Sequence, residues 1–190
     1  MLRCYREKAD HQMLAVHLPD ELYAQAAGAF VFMCVDILIV HRERRAVYLA
    51  KRRHKPMADQ WWFIGGRRRA GETILEGAQR CFKRETGLQL APARFVYRNQ
   101  FECLFADREQ DPQETGAHTR SDVLSVELSS DELAQIQLDP EEYDGRPREF
   151  GRAGLAAKGM PRPLLDAYNC VFPTVGVPRN QLEPQPLFRV

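Results

Sequence analysis

The sequence predicts an α/β sandwich of the α+β kind rather than a doubly wound parallel sheet. Three observations carry this. The run Phe30-Val-Phe-Met-Cys-Val-Asp-Ile-Leu-Ile-Val40 is β-branched and aromatic and too apolar for a surface strand, so it belongs at the centre of a sheet. Strand-like segments outnumber helical ones and are mixed with them along the chain. Finally, 190 residues, 44% of them hydrophobic, suffice for one proper core and so for one domain.

Leu18 to Ala27 places Pro19 and two acids ahead of good helix formers, as a short helix start does. After the central strand, His41 to Arg45 reads as a polar hairpin turn and Ala46 to Lys51 as the partner strand. Trp61 to Ile64 is a third short strand ending at Gly65-Gly66, where the missing Cβ atoms permit a tight turn and close approach to a ligand. A helix follows: Thr73 and Glu76 have capping-box spacing, Leu75, Ala78 and Phe82 supply the buried stripe, and Gly87 is the left-handed stop. Glu72, Arg80, Arg84 and Glu85 then form its polar side. Phe95 to Phe105 alternates as a strand, Asp107 to Arg120 reads as a long exposed loop, and Ser121 to Leu128 alternates again. A short helix starts at Ser130, and Pro163 to Tyr168 is a last helix. Residues 1–28 are thus an N-terminal extension with a short helix, 29–172 the main domain, and 173–190 a Pro-rich tail without periodicity, extended or disordered.

A formal charge of +1 hides a strong local bias. Arg42, Arg44, Arg45, Lys51, Arg52, Arg53, His54, Lys55, Arg67, Arg68 and Arg69 crowd into one stretch, which points to an anionic ligand. Aromatic interleaving of the kind single-strand binders use is missing and the total charge is near neutral, which argues against nucleic acid. The five cysteines are odd in number and lack CxxC spacing, so they predict reduced thiols rather than a zinc site or a disulfide framework. With no apolar run of membrane length and no leader-like start, the expectation is a cytoplasmic protein with no membrane partner.

Asp36 lies in the middle of the apolar run, where an unpaired carboxylate costs several kcal/mol, so it must meet a cation, a donor or a ligand. Trp61 and Trp62 offer indole faces for a base or sugar, but neighbours on a strand point to opposite faces, so at most one reaches a site.

Gly66, Glu72, Arg80, Phe82, Glu85, Gly87 and Leu88 match the Nudix box in order and spacing: glycine, five residues, glutamate, seven residues, then Arg-Glu-apolar-x-Glu-Glu-x-Gly-apolar. The chain therefore resembles the Nudix hydrolase superfamily. Two positions depart, Cys81 and Arg84 standing where helix glutamates belong. In this the box resembles that of GDP-mannose mannosyl hydrolase, and the likeness extends over Val35 to Val40, Leu49-Ala-Lys-Arg52 and Gln60 to Arg67. The resemblance implies an α/β/α sandwich with a mixed central sheet, one magnesium ion (or manganese), and water attacking the anomeric carbon of a nucleotide sugar. It assigns the catalytic groups to Arg52, Arg80, Asp36 and Tyr143, substrate binding to Asp36, Arg52 and Arg67, and the metal to Gly65, Glu85 and Glu142, while Trp62 joins the substrate-binding set on the stacking capacity of its indole. A homodimer is a further implied option. Cleaving a C1–O bond calls for stabilised charge on the departing diphosphate, which fixed guanidinium groups supply. Tyr143 stands where the family has a histidine, and a phenol with a free pKa of about 10 is a poor base. Glu141, Asp144 and His118 remain as alternatives for that role. Cleavage between the phosphates and a non-catalytic nucleotide-binding module are the competing readings.

Overall fold

The computed structural model describes residue 13, residues 15–173 and residues 186–188. Within them a seven-stranded mixed sheet is built around β1 (Phe32–His41). On one edge β1 pairs in parallel with β6 (Ala117–Glu127), which pairs antiparallel with β5 (Val96–Phe105). Its other edge is shared: β2 (Ala46–Arg52) pairs at Ile39 to His41, and β4 (Ile64–Arg67) at Cys34 to Ile37. The short β3 (Trp61–Trp62) continues the pairing onto β2, and β7 (Tyr143–Phe150) also lies against β2.

Side-chain alternation along β1 explains why its sequence is apolar throughout. Val35, Ile37 and Ile39 join Ala78 and Phe82 of α2 (Ile74–Thr86) in one core layer. Leu38 and Val40 face the opposite way, into a second layer with Leu164, Leu165 and Tyr168 of α5 (Arg162–Val171). The expected sandwich with a mixed central sheet is therefore present. By the same alternation Asp36 shares the α5 face, not the α2 face.

α2 begins at Thr73, whose hydroxyl accepts from the Glu76 amide while the Glu76 carboxylate accepts from the Thr73 amide, and it stops at Gly87 with φ 75°. Its buried face differs from the expected stripe. Leu75 is exposed, whereas Ala78, Cys81, Phe82 and Glu85 are buried, a run at i, i+3, i+4 and i+7. Gly65 and Gly66 also differ: they make no turn but lie in β4, opposite Asp36 and Val35. A Cβ on Gly65 would stand 2.0 Å from the Val35 carbonyl oxygen, so glycine is required by the approach of β1 itself.

Four elements depart from the sequence reading. β6 starts at Ala117, so the end of the supposed exposed loop is paired strand. The cap of α3 (Ser130–Gln135) is Ser129, in a capping box with Glu132. β7 and the short α4 (Arg152–Leu155) were not expected at all, since Gly145 and Pro147 disguise β7 as a loop. Proline is tolerated on a strand that lies at the sheet margin. At the N-terminus α1 (Asp20–Ala29) follows Pro19 as expected. Most of the tail lies outside the described residues, but its described part docks: Leu187 accepts from the Arg162 amide at 2.7 Å and Phe188 bridges to Pro161.

Candidate active site

β1, β4, α1, α2 and the loops after β2 and β5 enclose a cavity of about 940 Å³, a size suited to a nucleotide-like ligand. Of the residues expected at the site, Asp36, Arg52, Trp62, Gly65, Arg67, Arg80, Glu85, Glu142 and Tyr143 all line it. Trp61 does not. Trp62 is held in place edge-on against Phe63 and Phe105, with centroids 5.3 and 6.1 Å away.

The arginines fall into two groups. Arg80 is held by its neighbours: its Nε and Nη2 donate to the two carboxylate oxygens of Glu72 at 2.5 and 2.8 Å, and Nη2 also donates to the Arg67 carbonyl at 2.8 Å. It braces the backbone that carries Arg67. Although burial works against the Glu72 carboxylate, the hydrogen bonds from Arg80 and the Arg69 amide hold it below its usual range. Arg52 and Arg67, by contrast, have no carboxylate within ion-pair distance among the described residues. Among the described residues Arg52 Nε donates only to the carbonyls of Pro56 at 3.0 Å and His54 at 3.4 Å. The Arg67 guanidinium lies 3.8 Å from the centroid of Tyr23, a ring from α1.

Arg108 belongs with these two and was missed in the sequence. It is 4% exposed, and among the described residues its guanidinium donates only to the carbonyls of Gln110 at 3.0 Å and Gly116 at 3.5 Å. Its charge and that of Arg67 both act on Tyr23, whose phenol is raised chiefly by burial. No local signal marks Arg108, since one arginine in a polar stretch looks like a solvated side chain. Ser121, one residue from the expected exposed loop, was missed for the same reason.

Asp36 is buried at 7% exposure and pushed up to about 6 by that burial, against the opposing pull of a Ser121 hydrogen bond and the Arg52 charge. A carboxylate so poised is matched to proton transfer near neutral pH. Tyr143 is not: burial first, then the charge of Glu85, pushes its phenol far above its ordinary range, and it packs in the α2 core layer. None of the alternative bases lines the cavity. His118 sits 3.1 Å from Glu102 on the β5–β6 surface, Asp144 pairs with Arg53 and Lys51, and Glu141 is exposed. Cys34, also at the cavity, has its thiol pushed up to about 12 by burial and by Asp36, which leaves it without thiolate character.

The expected metal set meets an obstacle. Glu85 is 1% exposed, and burial raises its carboxyl despite the opposing Arg84 charge and hydrogen bond. Arg84 Nε donates to Glu85 Oε1 at 2.7 Å and Nη2 donates to the same oxygen. Among the described residues Oε2 is without a hydrogen-bond partner of good geometry, though the Tyr143 hydroxyl also acts on the Glu85 carboxylate. Nη2 also stands 3.0 Å from where a Cβ of Gly66 would be, and Glu142 acts electrostatically on both Arg84 and Glu85. A guanidinium thus lies among the donors expected to hold the ion. The set as arranged does not fit a divalent cation, because a positive group already occupies the shared negative ground.

Solved structures share this fold. A MutT NUDIX hydrolase from Burkholderia pseudomallei superposes with a TM-score of 0.59 at 18% identity, over 75% of this chain and 98% of the other. A MutT protein from Methanosarcina mazei Go1 gives 0.56 at 17% identity, over 73% and 91%. Against a MutT/nudix family protein from Enterococcus faecalis the chain spans 44% of the other's length, with 64% of this chain covered, 16% identity and a TM-score of 0.49. No curated protein matches in sequence. No helix among the described residues is long and apolar enough to cross a membrane. Residues 32–154 match the family described as NUDIX domain. That match covers well over half of the chain, and with the box of α2 in place it settles the family: this chain belongs to the Nudix domain proteins, hydrolases that as a family generally use divalent metal ions.

Proposed function

We propose that the protein hydrolyses a nucleoside diphosphate derivative, specifically a nucleotide sugar of the GDP-mannose kind, with water attacking the anomeric carbon. One observation carries the reading: Arg52, Arg67 and Arg108, three guanidinium groups without carboxylate partners among the described residues, face a cavity that also holds Asp36, a buried carboxylate pushed up to about 6. Unpaired cations around a nucleotide-sized cavity call for a polyanion, and bidentate guanidinium contacts suit a diphosphate.

In this reading the guanidinium groups hold the diphosphate and take up the charge that develops on it as the C1–O bond breaks. Asp36 receives the proton of the water whose oxygen bonds to the anomeric carbon, the electron pair of the broken bond leaves with the diphosphate, and the proton passes on to solvent. In this reading Arg80 acts through its neighbours. It keeps Glu72 and the Arg67 carbonyl in register, a positioning role. Trp62 offers an apolar wall for the base or sugar. Magnesium enters neither step, given the place of Arg84 on Glu85.

The test is hydrolysis of a panel of nucleotide sugars in oxygen-18 water, with mass spectrometry of the products. Label in the free sugar is the expected result. Label in a phosphate would transfer the protein to cleavage at phosphorus, and no product from any substrate would leave nucleotide binding as its role.

A further inference from the structure

We infer that Arg84 is the built-in cation of this site: its guanidinium does for the diphosphate what a divalent ion does elsewhere, so that nucleotide binding needs no metal. The inference rests on the nucleotide-binding reading above but makes a separate statement about which charge is used.

Four observations converge. Arg84 stands at the position of the box where a glutamate is expected, so one residue both removes a metal-binding charge of −1 and adds +1. Its Nε and Nη2 both donate to Oε1 of Glu85, the one box carboxylate remaining on the buried face of α2. Its Nη2 lies beside Gly66, next to the carbonyl expected as a second ligand, and Glu142, expected as the third, acts on it electrostatically. The side chain of Arg84 is nonetheless 51% accessible and lines the cavity, so the face of the guanidinium away from Glu85 is open to a ligand.

The physical sense is that of a tethered ion. A divalent ion held by carboxylates leaves positions for phosphate oxygens, and a guanidinium clasped by one carboxylate leaves N–H donors for the same oxygens. Glu85 fixes the fork, so little side-chain entropy is lost when the diphosphate arrives. A free cation must now compete with a guanidinium already bonded to Glu85, and a metal ion added to the same ground meets repulsion from Arg84.

Two measurements test this. In the first, binding of GDP and of ADP to the full chain is followed by calorimetry in excess EDTA and again in magnesium. The expected affinities are the same in both, and Arg84→Gln weakens them about tenfold or more in EDTA, the loss of one charge-assisted phosphate contact. In the second, Mn²⁺ binding without nucleotide is followed by water-proton relaxation. The parent is expected to bind no Mn²⁺ at Glu85, and Arg84→Glu to acquire a site that Glu85→Gln abolishes. Nucleotide affinity that collapses in EDTA overturns the inference, as does a Glu85-dependent Mn²⁺ site in the parent. If neither nucleotide binds in any condition, the nucleotide reading fails while the relaxation arm still decides whether Arg84 bars the metal. Should Arg84→Glu fail to fold, by circular dichroism, the neutral Arg84→Gln carries both arms: Mn²⁺ gained at Glu85 supports the inference, and none gained overturns it.

Discussion

Asp36 shows how one residue ties stability to function. Its carboxyl is pushed from the ordinary aspartate value to about 6, first by burial, so the folded state binds a proton that the unfolded chain has released. The destabilisation is absent below the unfolded value of 3.8, grows as pH rises, and is complete above about 6. A difference of this size corresponds to about 3 kcal/mol. Asp36→Asn removes the titration, so its thermal midpoint should exceed the parent's near pH 8 and converge with it toward pH 4, while turnover is lost. Calorimetric melts across that range check it, and a variant less stable than the parent at pH 8 would mean that Asp36 is paired more strongly than its contacts show. The residue itself was legible in the sequence, because a carboxylate in an apolar run stands out. Its proton affinity was not, because that depends first on burial in the folded sheet and then on the opposing pull of Ser121 and Arg52, which come from other strands.

At the scale of elements, α2 was legible end to end because its signals are local. Thr73, Glu76 and Gly87 fix start and stop through backbone hydrogen bonds a few residues apart. Its phase was not, because the buried stripe includes Cys81 and the charged Glu85, and only the packed neighbours decide that a carboxylate faces inward. Truncation separates the two stripes. Leu75→Ala should cost about 0.5 kcal/mol or less in urea unfolding, as at an exposed site, whereas Phe82→Ala should cost about 3–5 kcal/mol. Comparable losses from both would restore the stripe through Leu75. β7 escaped notice for a related reason. A marginal strand buries Tyr143 in its first position and half-buries Phe150 in its last, and between them carries Gly145, Pro147 and charges, so its strand character comes from hydrogen bonds to β2 and not from its own pattern.

Across the whole molecule, the charge of +1 says little, and the placement of charge says much. Arg52 comes from β2, Arg67 from β4 and Arg108 from the loop after β5, and the fold brings all three to one cavity without carboxylate partners among the described residues. A buried cation without a partner costs the free protein stability that an anionic ligand recovers. Arg108→Gln should therefore weaken GDP binding about tenfold while leaving the melting temperature of the unliganded protein equal or higher. Calorimetry paired with a melt reads both quantities, and a variant with unchanged affinity would make Arg108 a structural prop for its loop.

By itself the sequence determined the central strand, the capped helix, the glycine stop and the family box, because each is written in residues close along the chain and enforced by local backbone hydrogen bonding. It also marked Cys81 and Arg84 as departures from that box. Only the tertiary structure decided that Gly65 is small to let β1 approach, that Tyr143 is core, and that Arg108 reaches the cavity. It also decided that Arg84 closes on Glu85. The physical reason is common to these cases. Burial and charge pairing are set by neighbours distant in sequence, and a side chain's proton affinity and its freedom to meet a ligand follow from them.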